Sequence, residues 1–305
     1  DTPDGRLPNT NFRNNGQGVW LGYNFDRHKI GLSLDRYKLS TQTWFDDPEG
    51  QFDDFSVKIP KLEREKIGLF YDYAADGDYL KNIHVDAYSQ TIERKFENRV
   101  KTTQVIPSPM IKALTVSNQT NTNDKQYTQG VTLQSNFSLP ANNELVIGTQ
   151  YQHDKIKQDT DGSTRQTAAT GFFDTQTRTL SYNEAEQSNT SLFAQNDWRF
   201  ADDWTWTVGA RQYWLSSKLK RNDTQTLQSS GSTWQSTGGN SVHDDELVTS
   251  TSLRYSGFKD LELRAAYAQG YVFPTLTQLF MQTSAGGSVT YGNPNLKAEH
   301  SNNYE

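Results

Sequence analysis

The stretch Val19-Trp20-Leu21-Gly22-Tyr23-Asn24-Phe25, followed after Asp26-Arg27-His28 by Ile30-Gly31-Leu32-Ser33-Leu34-Asp35, decides the fold class. Val19, Leu21, Tyr23 and Phe25, and then Ile30, Leu32 and Leu34, recur at every second position, with Trp20, Gly22, Asn24, Gly31, Ser33 and Asp35 between them. A period of two sends alternate side chains to opposite faces of a β-strand. Two such runs split by a short polar break read as a hairpin.

The pattern recurs along the chain. Ile67, Leu69, Tyr71 and Tyr73 lead through Ala75-Asp76-Gly77-Asp78 to Ile83, Val85 and Ala87. Val131, Leu133, Phe137 and Leu139 lead through Pro140-Ala141-Asn142 to Leu145, Ile147 and Tyr151. Leu192, Ala194, Trp198 and Phe200 lead through Ala201-Asp202-Asp203 to Trp204, Trp206, Val208 and Ala210. Leu253 and Tyr255 lead through Gly257-Phe258-Lys259-Asp260 to Leu261, Leu263, Ala265 and Tyr267. Each break carries residues suited to a tight reversal.

Between hairpins lie longer polar stretches, such as Gln158 to Glu186 and Lys218 to Asp245, which read as loops. Short turns at one end of every strand and long loops at the other are the signature of an all-β, antiparallel, up-and-down transmembrane β-barrel. The second face carries Asp35, Asp72, Asp86, Gln134, Asn136, Gln150, Gln195, Arg211, Glu262 and Arg264, which suits a wet lumen. Tyr23, Phe25, Tyr73, Phe200, Trp204 and Trp206 cluster beside the short turns, where an interfacial aromatic girdle sits. A soluble all-β protein shares the alternation, but not the loop asymmetry with a polar second face.

Composition agrees. Of 305 residues only 33% are hydrophobic, and no apolar run approaches the ~20 residues of a spanning helix, so a helical transporter is excluded. Thirty-seven aromatics argue for a folded chain, since disordered segments are poor in them. A net charge of −6 speaks against nucleic acid as a partner, and the lack of cysteine removes disulfides, thiolate metal sites and cysteine nucleophiles.

The C-terminal region adds a resemblance. Tyr267-Ala268-Gln269-Gly270-Tyr271-Val272-Phe273-Pro274-Thr275-Leu276-Thr277-Gln278-Leu279-Phe280 resembles the Gly-Tyr/Phe-x-x-Pro-Thr-x-x-x-Leu segment of TonB-dependent outer-membrane receptors. Gly292-Asn293-Pro294-Asn295-Leu296-Lys297-Ala298-Glu299 resembles that family's Gly-Asn-Pro-x-Leu-Lys-x-Glu element, and Asn303-Tyr304-Glu305 matches the opening of the next strand. Ser191 to Trp198 with Val208-Gly209-Ala210-Arg211 is similar to a barrel segment further upstream. Pro274 cannot donate to a strand ladder and Asn293-Pro294 initiates a turn, so Gly270, Pro274, Thr275, Leu279, Asn293, Pro294 and Leu296 read as structural punctuation of one loop.

The resemblance implies that residues 1–305 are a segment of a 22-stranded barrel whose intact form holds an N-terminal plug. Five hairpins give ten strands and the start of another, roughly half such a barrel. The plug, the motif that engages TonB and the terminal strand are expected outside this stretch. The implied setting is the outer membrane of a Gram-negative bacterium. The implied partners are its lipid, the TonB complex acting through the plug, and a ferric siderophore. No resident cofactor is expected, the iron chelate being cargo.

No enzyme is expected. His28, His84, His153, His243 and His300 are scattered, and neither a Gly-x-Ser-x-Gly motif nor a metal-ligand spacing occurs. Asp46-Asp47-Pro48-Glu49-Gly50 with Asp53 and Asp54 lacks the ligand order of a helix-loop-helix calcium site and reads as a solvated loop, so no metal site is assigned. For ligand contact in extracellular loops the candidates are Trp44, Phe45, Phe172, Phe173, Trp234 and Tyr291 for planar chelator groups, with Arg165 for an anionic chelate. Haem receptors of the family carry a histidine between the two C-terminal elements. Thr275 to Gly292 holds none, which favours a ferric siderophore. A porin or adhesin barrel and a soluble carbohydrate-binding β protein are the alternatives.

Overall fold

The computed structural model describes residues 10–43, 47, 49–285 and 288–305. The main sheet is built from β1 (Phe12–Phe25), β2 (His28–Thr43), β3 (Asp54–Ala74), β4 (Leu80–Val105), β5 (Ala113–Leu139), β6 (Asn143–Ala168), β7 (Asp174–Ala201), β8 (Trp204–Gln228), β10 (Ser241–Phe258), β11 (Leu261–Val272) and β14 (Glu299–Tyr304). They pair in that order, each neighbour antiparallel, and β9 (Gly231–Thr237) folds back on β8. Between β11 and β14 the chain forms a short helix α1 (Leu276–Phe280) and a small hairpin of β12 (Gln282–Ala285) and β13 (Ser288–Tyr291). β1 and β14 are the two edges, so the sheet does not close within the described residues.

Register carries each face across the sheet. Leu21 pairs with Leu32, Leu32 with Leu69, Leu69 with Ala87, Ala87 with Val131 and Val131 with Tyr151. One step along the strands, Gly31 pairs with Phe70, Phe70 with Asp86, Asp86 with Thr132, Thr132 with Gln150, Gln150 with Ser191 and Ser191 with Tyr213. Every residue read as lumenal from the alternation lies on this second, inner face. Among the described residues the apolar row has no protein over it: Ile30 and Leu34 are each 43% exposed and Leu69 52%. The small set of buried hydrophobics sits instead on the inner face, where Ile156, Ala185 and Leu219 meet Leu276, Leu279, Phe280 and Met281 of the α1 segment. Greasy side chains without a second layer need a greasy solvent, and hydrocarbon supplies one.

Two aromatic levels bracket the apolar band. The lower one joins Trp198, Phe200, Trp204 and Tyr255, with Trp204 4.7 Å from Tyr255. Trp214, Tyr151 and Tyr127 lie on the same face further up, Trp214 being ten residues beyond Trp204 on β8. At about 3.3 Å per residue and a tilt of about 40° that is about 25 Å of height, the thickness of the apolar belt of an outer-membrane barrel.

The strand pairs match the sequence reading, whereas the extent of the loops does not. Gln158 to Glu186 is strand except for residues 169–173, and Lys218 to Asp245 is strand except for residues 229–230 and 238–240. The reason is solvent. Above the membrane both faces of the sheet meet water, so the apolar-polar alternation vanishes from Thr- and Gln-rich strands while their ladder continues. The end that carries the longer connections nevertheless remains opposite to the tight turns at Asp26-Arg27, Asp202-Asp203 and Lys259-Asp260.

Candidate functional site

The inner wall of β7, β8, β10, β11 and β14 gathers aromatic and charged side chains around the height of the upper aromatic level, with Arg211 and Tyr213 just below Trp214 on β8. Alternation on β8 puts Arg211 and Tyr213 on this face beside Phe193 of β7. The Arg211 guanidinium carbon stands 5.1 Å from the Phe193 ring centroid and 4.9 Å from that of Tyr213. Its nitrogens donate to Ser191 Oγ at 2.8 and 3.1 Å and to Gln150 Oε1. Among the described residues no carboxylate forms an ion pair with Arg211. A planar cation held between two rings, with its charge uncompensated, is equipped to receive an anionic or planar ligand.

Tyr213 stacks on Tyr271 with centroids 5.4 Å apart, and Tyr271 lies 5.6 Å from the His300 ring. The Tyr271 hydroxyl donates to Asp244 Oδ2 at 3.0 Å, and His300 Nδ1 is 3.7 Å from Glu246 Oε1. The wall thus offers a cationic end at Arg211 and an acidic end at Asp244 and Glu246, joined by tyrosine faces. Further round, Arg94 donates to Asp124 at 2.8 Å, Gln158 to Asp124 at 2.9 Å and Asn183 to Gln158 at 3.4 Å. That network ties β4, β5, β6 and β7 together across the wall, leaving Asn183 Oδ1 buried without a hydrogen-bond partner among the described residues.

The C-terminal elements prop a loop against this wall. Thr275 caps α1 by accepting from the Gln278 N–H at 3.3 Å, while Gln278 Oε1 accepts from the Thr275 N–H at 2.9 Å. Gln187 on β7 donates to the Pro274 carbonyl at 3.3 Å, and Leu279 is fully buried. Asn293 donates its N–H to the Gln278 carbonyl at 2.8 Å and accepts from the Asn295 N–H at 3.0 Å, closing the turn at Pro294 before Leu296. A β-carbon on Gly292 would stand 2.5 Å from Phe280 N, so only glycine fits there. Gly270, in turn, lies opposite Ser301 on β14.

The loop candidates fall elsewhere. Trp44 and Phe45 lie outside the described residues, as do Asp46 and Pro48 of the acidic loop; Asp47 accepts from the Gln51 and Phe52 N–H groups at 2.9 and 2.8 Å, a turn-holding role. Arg165 is on β6, not in a loop, shares the outward face with Lys157, and is ion-paired with Asp174. Trp234 is on β9 opposite Gln225, which pairs with Leu180 and so also faces outward. Phe172 and Phe173 stack edge to face at 6.4 Å at the tip of the β6–β7 hairpin. Tyr291 ends β13 and is exposed. Tyr213, Tyr271, Asp244, Glu246 and His300 were not singled out from the sequence. The usable signal for Tyr213 was its place two residues beyond Arg211 on one face; His300 and Glu246 meet only through pairing of distant strands.

A sequence profile described as TonB dependent receptor-like, beta-barrel matches residues 2–305. The chain belongs to this TonB-dependent receptor family. Its barrels reside in the Gram-negative outer membrane, in agreement with the bare apolar face. Vitamin B12 transporter BtuB of Photobacterium profundum is 24% identical over 271 residues, covering 89% of this chain and 33% of that protein. Among solved structures the copper transporter OprC matches with a TM-score of 0.66 at 17% identity over 96% of this chain and 42% of that one. The ferric-catecholate import receptor Fiu of E. coli K12 matches with a TM-score of 0.60 at 8% identity over 91% of this chain and 46% of that one. The siderophore receptor PiuA of Acinetobacter baumannii gives 0.55 at 12% identity, over 88% and 43%. The chain therefore spans about a third to under a half of the length of these TonB-dependent relatives.

Proposed function

We propose that the intact protein imports a ferric siderophore across the outer membrane, drawing its energy from the TonB complex through a plug domain seated in the barrel. The carrying observation is Arg211, held between Phe193 and Tyr213 on the inner wall with no carboxylate among the described residues paired to it. A ferric chelate with aromatic or anionic groups matches that chemistry. Siderophore receptors among the structural neighbours support the reading. In this mechanism the wall and the propped α1 loop hold the chelate, and rearrangement of the plug releases it inward. A cobalamin is the second reading, since the curated relative is a vitamin B12 transporter.

Cells carrying the intact gene, and cells lacking it, are given radiolabelled iron as catecholate, hydroxamate or carboxylate chelates, and labelled cobalamin. Energy-dependent uptake of one ferric chelate, lost on deletion of TonB and reduced about tenfold or more by Arg211→Ala, is the expected result. Uptake of cobalamin alone would replace the siderophore reading. Passage unaffected by loss of TonB would mark a porin instead.

A further inference from the structure

Arg211 and Glu246 lie close enough on the inner wall to neutralise one another, and they are held apart. In register Arg211 faces Val248 and Tyr213 faces Glu246, so the arginine and the glutamate are diagonal neighbours across β8 and β10, within reach of two long side chains. The guanidinium instead turns toward β6 and β7, where Gln150 and Ser191 accept from it, and the Tyr213 ring covers one of its faces at 4.9 Å. Asp244, one row higher and opposite Leu215, accepts from the Tyr271 hydroxyl at 3.0 Å. Among the described residues no lysine or arginine pairs with Asp244 or Glu246, and the one basic group beside them is His300, 3.7 Å from Glu246.

Opposite charges kept apart on one wall match a ligand that is itself bipolar. At about 3.3 Å per residue, the row of Glu246 stands about 7 Å beyond that of Arg211 along the strands and the row of Asp244 about 13 Å, both on the side away from the tight turns. Tyrosine faces lie between, Tyr213 and Tyr271 stacking with centroids 5.4 Å apart. Val242, two residues beyond Asp244 on the same face of β10, packs against the buried cluster of the α1 segment, so the acidic end lies beneath that segment. We propose, on the strength of the siderophore reading, that the cargo is a ferric chelate carrying a free protonated amine about 10 Å from its anionic or aromatic chelating end. The chelating end lies on Arg211, the body crosses the tyrosines, and the ammonium group points outward to Glu246 and Asp244. The carboxylates then receive charge-assisted hydrogen bonds that a neutral amide in the same place does not supply.

The test follows binding by tryptophan fluorescence of the intact receptor in detergent. The probes are ferric catecholate, hydroxamate and carboxylate chelates, each prepared with a pendant primary amine, with that amine acetylated and with it succinylated. In the class that binds, the amine form is expected to bind about tenfold more tightly than the acetyl form, and the succinyl form more weakly still. Asp244→Asn combined with Glu246→Gln should erase this order, whereas Arg211→Ala should weaken all three forms and keep it. Heat-modifiable migration in gels reports whether each variant is folded, and the two single variants stand in if the double one is not. Equal affinity for the amine and acetyl forms, with Arg211→Ala still weakening both, overturns this inference and leaves the siderophore reading standing. An order that survives in the folded double variant overturns it as well. Binding of no ferric chelate in any class overturns the siderophore reading and this inference with it.

Discussion

Phe193 on β7 lies across Gly148 on β6: a β-carbon built on Gly148 would stand 2.3 Å from Phe193 Cζ, and the same ring carries the Arg211 guanidinium 5.1 Å from its centroid. The glycine makes room for the ring, and the ring seats the cation of the proposed ligand wall. Gly148→Ala should therefore lower stability by about 1–3 kcal/mol through overpacking. Urea unfolding of the intact receptor in micelles measures it, and Phe193→Leu in the same background should recover only part of the loss, since the Leu133 carbonyl would still stand 2.8 Å from that β-carbon.

Leu133 and Gln134 are neighbours in sequence and opposite in solvent. Leu133 is 44% exposed on the apolar face, and Gln134 donates to Asn136 at 3.1 Å on the inner one. Leu133→Arg should cost about 2–4 kcal/mol at mid-bilayer depth, and Gln134→Arg far less. Equilibrium folding into lipid vesicles distinguishes them, and equal costs would contradict the assignment of faces.

Ala141, in the turn between β5 and β6, adopts φ 61° although it carries a β-carbon. The left-handed region costs an L-residue about 1–2 kcal/mol, and glycine much less. Ala141→Gly should raise stability by about 1 kcal/mol, part of the relief being returned to the more flexible unfolded chain. The check is a higher urea midpoint at unchanged slope.

The tip of the β6–β7 hairpin, above the membrane, is held by two forked ion pairs. Arg178 donates to both Asp161 oxygens at 2.9 and 2.7 Å, and Arg165 to those of Asp174 at 2.9 and 2.5 Å. The hydrogen bond from each arginine holds its carboxyl below the usual carboxylate range. A depressed folded pKa stabilises above the ordinary carboxylate value and is lost as pH falls through the lowered one. Amide protection factors at residues 161–178, corrected for the intrinsic pH dependence of exchange, should thus fall on acidification in that window, and Arg178→Gln should remove much of that fall. Protection factors that are flat with pH would count against the pairs.

Alternation made the membrane-level strands legible. Val131 to Leu139 and Leu145 to Tyr151 differ so sharply between faces that pairing, turn and orientation all follow from one period. Thr160 and Thr224 carry no such contrast, because water bathes both sides of their strands, and there the sheet was read as loop. The faces of Trp234 and Arg165 were invisible for a related reason: each depends on register counted from the membrane, and for Trp234 through the bulge where Glu184 pairs with Arg221 and Ala185 with Leu219. Leu279 and Thr275 were found as punctuation through their motif and prove to be a buried anchor and a helix cap. The Tyr213–Tyr271–His300 wall joins residues far apart in the chain, and only strand order brings them into contact.

The most direct test of the account measures which side chains on β5 touch hydrocarbon. The chain has no cysteine, so single cysteines at residues 131 to 135 of the intact receptor can carry nitroxide labels without background from this stretch. In vesicles, collision with oxygen, which concentrates in the acyl chains, should be high at 131, 133 and 135 and low at 132 and 134, with a polar nickel chelate excluded from the odd set. Uniform oxygen accessibility along the five positions, or the opposite phase, would contradict a sheet whose bare apolar face meets lipid.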